Sequence, residues 1–217
     1  MRLFLASQDF GEYADKLQEL VGDNRRTLFI INARDERDND YRQKKIAQKK
    51  ALLENNGFNW IGELDLRKYF GKKDELRKYL DEQKIGHIHT TGGNTFLLRK
   101  AFALSGLDEI IKEELANDSL VYSGSSAGSM VMTPDFKYYS QGDRSKIKVS
   151  GYSDEVIWDG LNLIDEYISL HHSTKGHEKI SQQRKEMFDR DNVPYVLLND
   201  SDVLIVNDKQ KKVLKPE

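Results

Sequence analysis

Short apolar runs alternate with longer segments of helical period along most of the chain. Residues 2–6 form the first apolar run, residues 12–21 carry apolar side chains at helical spacing, and residues 27–31 form a second apolar run. This order predicts a strand, a helix and a second strand. Repeated alternation of this kind is typical of a parallel sheet covered by helices.

The same pattern predicts the remaining elements. Further helices are expected at 41–55, 73–83, 95–115 (as one helix or two) and 174–190. Further strands are expected at 58–66, 85–91, 120–122, 167–170, 195–198, 203–206 and 212–214. The last three strands are expected to be antiparallel, since tight turns join them. Periodicity fails at 134–151, which predicts a long loop or irregular hairpin.

The fold class predicted from this order is α/β, with a doubly wound, mostly parallel sheet, helices on both faces and antiparallel strands near the C-terminus. The length of 217 residues suits a single domain covering 1–217.

Composition narrows the functional classes. The formal charge is only -2 and the chain has no cysteine, so we expect no nucleic-acid partner and exclude thiolate metal sites and a cysteine nucleophile. No apolar run approaches the ~20 residues that cross a bilayer, so we expect no membrane partner and a cytoplasmic location. The basic cluster Lys44, Lys45, Lys49 and Lys50 lies beside acidic residues and is interpreted as a solvated helix face.

The segment Gly124-Ser125-Ser126-Ala127-Gly128 follows the strand at 120–122 and precedes a helix. A Gly-x-Ser-x-Gly turn in this context projects its serine above the sheet edge, which predicts Ser126 as a nucleophile. The amide of Ala127, at the start of the helix, is expected to donate to an oxyanion. The alternative is an ordinary turn that connects strand and helix.

A second glycine loop, residues 90–96, also follows a strand and opens a helix. Parallel strands would bring it beside the serine turn. Gly93 is then the candidate for a second oxyanion donor, and Asn94 is expected to cap the helix and to contact substrate. The alternative is a simple glycine turn and helix cap.

A serine nucleophile needs a base, and His171 directly follows the strand at 167–170. Catalytic side chains of α/β proteins collect at such strand ends. His87 and His89 fall within a predicted strand and are interpreted as core histidines. Adjacent His171 and His172 do not suggest a metal site, because neighbours on a strand point to opposite faces.

The base in turn needs an acidic partner to fix its tautomer. Asp200 follows the strand at 195–198 and is the best placed candidate. From the residues alone, Asp135, Asp143 and Asp165 remain alternatives.

Together, the two glycine loops and the strand ending in His171 resemble the aspartyl dipeptidase (peptidase E) family of serine peptidases, to which cyanophycinases are related. The likeness is strongest at 85–205. It implies a fold like that of class I glutamine amidotransferases, with serine in place of their cysteine. It also implies a triad of Ser126, His171 and Asp200, where the dipeptidase usually has glutamate, and an oxyanion hole that includes Gly93. The order Ser, His, Asp differs from that of ordinary α/β-hydrolases.

The resemblance is weaker at the residues that would bind the side chain of the substrate. After its histidine the dipeptidase has a loop with an arginine for the substrate's aspartate side chain, and residues 175–179 here are shorter and lack it. Arg184, Lys179 or Lys185 could supply the charge, with arginine better suited to a carboxylate. The family has an aspartate in the loop after the serine turn at 124–128, which is called the nucleophile elbow. In this sequence that position falls near Gln141 and Asp143, so Asp143 is a further candidate for substrate contact.

The sequence thus predicts a serine peptidase acting on short peptides, including dipeptides with N-terminal aspartate, through an acyl-enzyme. No cofactor and no metal are expected, and the chain is expected to be a monomer or homodimer. One alternative is a cyanophycinase-like or other hydrolase of small peptides and amides. The other is a non-catalytic binding module of the same fold.

Overall fold

The computed structural model describes residues 1–10, 12–140 and 144–216. The helices are α1 (Ala14–Val21), α2 (Asn39–Asn55), α3 (Lys73–Gln83), α4 (Thr95–Ser105), α5 (Leu107–Ala116), α6 (Ala127–Met130) and α7 (Glu178–Asp191). The strands are β1 (Arg2–Ala6), β2 (Arg26–Ile30), β3 (Asn59–Glu63), β4 (His87–Thr90), β5 (Val121–Ser125), β6 (Tyr167–Ser169), β7 (Tyr195–Leu197), β8 (Val203–Asn207) and β9 (Gln210–Leu214). Short 3₁₀ turns occupy Asn32–Arg34 and Leu66–Tyr69.

Seven strands form one sheet in the order β3-β2-β4-β5-β1-β8-β9. The strands from β3 to β1 are mutually parallel, whereas β8 is antiparallel to β1 and β9 is antiparallel to β8. The predicted fold class, a mostly parallel sheet with antiparallel strands near the C-terminus, is therefore confirmed.

Alternation along the strands divides the core into two layers. In β1, Leu3 and Leu5 belong to an apolar cluster shared with α3, α4 and α5. Phe4 and Ala6 belong to a second cluster, shared with Leu17 of α1 and other residues of α1 and α2. Because successive side chains of a strand point to opposite faces, helices cover both faces of the sheet, as predicted.

One predicted pairing is wrong. Strand β7 does not continue an antiparallel series with β8 and β9, but pairs in parallel with β6 in a separate two-stranded sheet. Helix α7 connects β6 and β7, and a helical crossover of this kind joins parallel strands. Residues 198–202 then carry the chain to the main sheet, so the turn expected there connects two sheets.

The irregular segment predicted at 134–151 contains no helix or strand in its described parts, 134–140 and 144–151. It is nevertheless well packed. Tyr138 and Tyr139 are buried, and the Tyr139 hydroxyl accepts a hydrogen bond from the amide of Ile168 in β6. This contact holds the segment against the strand that leads to His171.

Parallel topology places several loop residues at one edge of the sheet. Strands β1, β2, β4 and β5 all end there, followed by Ser7, Arg34, the glycine loop and Ser126. His171, which follows β6, bonds to Ser7 and so reaches the same edge. Within the described residues, none of the helices has both the length and the apolar composition that a membrane crossing requires.

Candidate active site

The turn between β5 and α6 holds Ser126 in an unusual backbone conformation, with φ 52° and ψ -115°. Residues other than glycine rarely adopt a positive φ, so this conformation is strained. Backbone hydrogen bonds of ordinary length maintain it. The carbonyl of Ser126 accepts from the amides of Ser129 at 2.8 Å and Met130 at 3.0 Å, and the Ser126 amide donates to Ala6 at 3.1 Å.

The glycines of this turn leave no room for a side chain. A Cβ on Gly124 would lie 2.3 Å from the carbonyl oxygen of Gly128, and a Cβ on Gly128 would lie 2.4 Å from that of Thr90. Both contacts are with backbone, which cannot easily move. The requirement for small residues around Ser126 is therefore a requirement of close packing between β5, α6 and the end of β4.

The second glycine loop lies directly against this turn. A Cβ on Gly92 would lie 2.7 Å from the Cβ of Ser126, and one on Gly93 would lie 2.3 Å from the carbonyl oxygen of Ala33. The amide N–H of Gly93 donates to no residue in the described part of the chain. That of Ala127 is the first in α6 and so lacks an intrahelical partner. Both amides can therefore donate to a substrate oxygen.

Asn94 caps α4, as predicted: its side-chain oxygen accepts from the amide of Leu97 at 2.9 Å. Its side-chain nitrogen donates to the carbonyl of Arg144 at 3.0 Å. Both polar groups are thus engaged within the protein. The other predicted substrate contact in this region, Asp143, lies outside the described residues.

His171 and Asp200 form a close hydrogen-bonded pair, with 2.5 Å between Nδ1 and Oδ1. A proton on Nδ1 that points at the carboxylate leaves Nε2 as the basic nitrogen. The backbone of His171 has φ 56°, and its amide donates to the Ser7 hydroxyl at 3.0 Å. Ser7 Oγ also lies 3.3 Å from Nδ1, so Ser7 holds both the backbone and the ring.

The pKa of Asp200 is lowered from its ordinary value. Partial burial acts to raise it, but hydrogen bonds from Thr174, His171 and Gln8 outweigh burial because they stabilise the charged form. Asp200 is therefore a carboxylate at neutral pH. This is the state in which it can orient an imidazole.

The alternative aspartates that the structure describes do not contact His171. Asp135 accepts a hydrogen bond from the Tyr167 hydroxyl at 2.7 Å. Asp165 is exposed and lies 3.7 Å from Lys211. Of the described candidates, the structure thus brings only Asp200 to the histidine.

Two clefts meet at Ser126, and Arg34, Ser126 and His171 line both of them. The first, of about 250 Å³, is called the Arg184 cleft and also includes Gly93, His177, Ser181 and Arg184. The second, of about 260 Å³, is called the lysine cleft and also includes Gln8, Asp9, Lys45, Lys49 and Gly92. A peptide with its carbonyl at Ser126 could extend into both.

Among the basic residues considered for substrate recognition, only Arg184 lies in a cleft with Ser126. It is 7% exposed, and its guanidinium lies 5.2 Å from the centre of the Tyr139 ring. Lys179 is exposed, and Lys185 pairs with Asp189 on the same helix at 2.7 Å. Neither lysine lines the two clefts.

Arg34 is a site residue that sequence reasoning missed. It lies in the 3₁₀ turn after β2, donates to the Tyr41 hydroxyl at 2.7 Å, and buries an Nε that has no hydrogen-bond partner among the described residues. The available signal was its position just after a strand of the parallel sheet, the same rule that selected the other candidates.

The interpretation of the basic cluster as a solvated helix face is wrong for one of its lysines. Lys44 and Lys50 are exposed, but the side chain of Lys49 is only 13% exposed and forms an ion pair with Asp9. Lys45 and Lys49 are four residues apart on α2 and face the lysine cleft together. The helix period could have separated this pair from the other two.

The remaining histidines divide as expected. His87 and His89 are buried in β4, and both contact the Ser123 hydroxyl, at 2.7 and 2.8 Å. Burial lowers the pKa of His87 to about 3, so it is a neutral core residue. His177, which the sequence did not single out, packs its ring 5.0 Å from that of His171 in the Arg184 cleft.

Comparison with known protein families gives a match across the chain. The model of Peptidase family S51 matches residues 3–214. Uncharacterized peptidases of Listeria monocytogenes and Listeria innocua are 34% and 35% identical over 101 residues, which is 46% of this chain. The matched stretch spans about half the length of these two relatives, 47% and 46%. An uncharacterized peptidase of Pasteurella multocida is 25% identical over 97% of this chain and 95% of its own length.

Solved structures extend the likeness to the fold. A putative peptidase E protein from Listeria monocytogenes superimposes with a TM-score of 0.78 at 27% identity, covering 100% of this chain and 98% of its own. A peptidase from an acI-B1 actinobacterium superimposes with a TM-score of 0.70 at 15% identity, covering 99% and 87%. The second supports the fold alone. The fold of this chain is thus one that is found among peptidases.

Proposed function

Because this chain belongs to peptidase family S51, we propose that it is a serine peptidase that hydrolyses short peptides through an acyl-enzyme formed on Ser126. His171 accepts the serine proton at Nε2 as the oxygen attacks the peptide carbonyl, and then gives it to the leaving amine. Asp200 stays ionised and holds the imidazole in the required tautomer. Water, activated by the same histidine, releases the acyl group.

The oxyanion that develops on the attacked carbonyl is stabilised by the amides of Gly93 and Ala127. The two amides belong to neighbouring loops. Close packing of Gly93 against Ala33, and of Gly124 against Gly128 in the serine turn, holds these loops in place. Donors fixed in advance stabilise a developing charge without reorganisation during the reaction.

One observation carries this proposal. Ser126 is held in a strained strand-to-helix turn and shares a cleft with a histidine whose Nδ1 lies 2.5 Å from an aspartate carboxylate. A simple connecting turn would have no need of a positive φ at a serine, nor of an oriented histidine beside it.

The Arg184 cleft fits the side chain of an N-terminal aspartate. Arg184 supplies a buried positive charge there, and arginine can bind a carboxylate through two parallel hydrogen bonds. The substrate residue that forms the acyl-enzyme then lies in this cleft. Dipeptides of the form Asp-X are the proposed preferred substrates.

The test combines activity and covalent labelling. Hydrolysis of Asp-Leu, Glu-Leu, Ala-Leu and β-Asp-Arg is measured for the wild-type protein, for Ser126→Ala and for Ser125→Ala as the control. Ser126→Ala should lower turnover by roughly 10⁴ to 10⁶ because triad members act as a unit. Ser125→Ala should lose far less activity than Ser126→Ala, since Ser125 lines the lysine cleft but is not the proposed nucleophile.

A fluorophosphonate should add its mass to Ser126 in the wild-type protein and not in Ser126→Ala. Hydrolysis by Ser126→Ala within tenfold of wild type would refute the role of the serine. Absence of both labelling and hydrolysis in the folded protein would instead favour a non-catalytic binding module. A preference for β-Asp-Arg over Asp-Leu would indicate cyanophycinase-like specificity.

A further inference from the structure

The lysine cleft has an excess of positive charge immediately beside Ser126. Arg34, Lys45 and Lys49 line it, and Asp9 is the one acidic residue among its described lining. Asp9 is paired with Lys49. Neither Arg34 nor Lys45 has a carboxylate partner among the described residues, so the cleft carries positive charge that no described acidic group offsets.

These charges are held in place by packing. The ring of Tyr41, on the first turn of α2, lies 5.7 Å from the Arg34 guanidinium and 5.9 Å from the Lys45 ammonium. Its hydroxyl accepts a hydrogen bond from Arg34. The buried Nε of Arg34 has no partner in the described chain. Leaving such a donor unpaired is costly, so the Arg34 side chain retains hydrogen-bonding capacity that the described residues do not use.

Peptide geometry shows which group would reach this position. Adjacent Cα atoms are about 3.8 Å apart, so in a dipeptide the C-terminal carboxylate lies about one residue from the attacked carbonyl. Arg34, Ser126 and the two lysines border one cleft of about 260 Å³. In a longer peptide the same place is taken by a neutral amide.

We propose that the lysine cleft binds the free α-carboxylate of the leaving residue and thereby selects dipeptides. This inference rests on the proposed function, since it places the scissile carbonyl at Ser126. The N-terminal residue lies in the Arg184 cleft, and its α-ammonium is kept away from the two lysines, which line only the other cleft. The leaving residue has its carboxylate between Arg34, Lys45 and Lys49.

The experiment compares each cleaved dipeptide with its C-terminal amide and with the tripeptide extended by one leucine. The free acid should show a kcat/KM about 10- to 100-fold above that of the amide, the range expected for a hydrogen-bonded charge pair. The tripeptide should resemble the amide. Equal rates for acid and amide would overturn the inference while leaving a Ser126-dependent peptidase intact.

Variants connect the preference to the cleft. Lys45→Met with Lys49→Met should lower the acid-to-amide ratio several-fold, to the part that Arg34 alone supports, and the ratio is insensitive to a general loss of activity. Lys50→Met is the matched control because Lys50 is on the same helix but exposed, and its ratio should equal that of wild type. If the double variant does not fold, Lys45→Met alone is measured. This substitution breaks no ion pair among the described residues and should already lower the ratio. An unchanged ratio in the folded lysine variants would refute the assignment.

A binding measurement separates this inference from the proposed function. Calorimetry on Ser126→Ala with Asp-Leu and its amide needs no turnover, and the acid should bind about 10- to 100-fold more tightly. If no peptide is hydrolysed and Ser126 is not labelled, the proposed function fails. The difference in affinity between the acid and the amide then still decides whether the cleft recognises a carboxylate. Equal affinities would overturn the inference.

Discussion

At the scale of single residues, Ser126 and His171 share a feature that few other residues have. Both are non-glycine residues with positive φ, 52° and 56°, and each such conformation costs of order 1–3 kcal/mol. Both are also tied to the end of β1: the Ser126 amide donates to Ala6 and the His171 amide to Ser7. Two consecutive residues thus fix the proposed nucleophile and the proposed base relative to one another.

In the proposed mechanism, Asp200 controls the tautomer of His171. Asp200→Asn should lower kcat/KM by about 10⁴, because an amide that donates to Nδ1 favours the tautomer with its proton on Nε2. Rates are measured at neutral pH, together with the melting temperature.

The matched control is Asp165→Asn, at an exposed aspartate that the sequence alone left as an alternative. Its rate should be within about twofold of wild type, since surface substitutions usually have small effects. If the two variants lose activity equally, or if Asp200→Asn loses stability rather than rate, Asp200 does not orient the base.

At the scale of elements, the two glycine loops form a single packed unit. Gly92 has an ordinary φ, so alanine there is acceptable to the backbone, but its Cβ would lie 2.7 Å from the Cβ of Ser126. Gly92→Ala should therefore displace the serine and lower kcat/KM by about 100-fold, the effect of a displacement of about 1 Å. Melting temperature and kcat/KM together test this.

Gly124→Ala provides the comparison, because its Cβ would meet the backbone of Gly128 at 2.3 Å. Steric overlap with backbone should chiefly lower the melting temperature. A Gly92→Ala protein with wild-type activity would show that the loop moves easily away from the serine, contrary to the packed unit described above.

At the scale of the whole molecule, the sequence predicted what depends on local pattern and strand ends. Short apolar runs that alternate with helical segments indicated the sheet, and residues at strand ends, the two glycine loops among them, indicated the positions of Ser126, Gly93 and His171. The pairing of β7 with β6 was not predictable, because three-residue strands carry almost no periodic signal. Ser7 was missed because its role comes from hydrogen bonds with His171, which is far away in sequence, whereas Arg34 could have been found by the strand-end rule that selected the other candidates.

The lysine cleft illustrates the same limit for charge. The molecule as a whole is nearly neutral, at -2, yet it gathers Arg34, Lys45 and Lys49 at one side of Ser126. Net charge therefore says little about a small anionic substrate, whose binding depends on local fields. In the sequence, acidic residues on the same segment offset the lysines, whereas tertiary structure turns two of the lysines toward the site.

This local field should make substrate preference depend on pH. Burial lowers the pKa of Lys49 to about 8, despite its ion pair with Asp9. The other titratable groups near Lys49 are Arg34 and Lys45, which line the cleft, and His89. Burial lowers the pKa of His89, and the positive charge of Lys49 adds to this effect, so His89 is neutral. The Lys49 charge is present below about pH 8 and is lost as the pH rises through that value.

The ratio of kcat/KM for a dipeptide acid to that for its amide should therefore be constant from pH 6 to 7 and fall several-fold by about pH 9.5, when most Lys49 is neutral. Taking the ratio removes the titration of the catalytic groups, which act on both substrates alike. Lys49→Arg keeps its charge over this range and should hold the ratio constant. A wild-type ratio that does not change up to pH 9.5 would show that Lys49 does not contribute its charge to carboxylate binding.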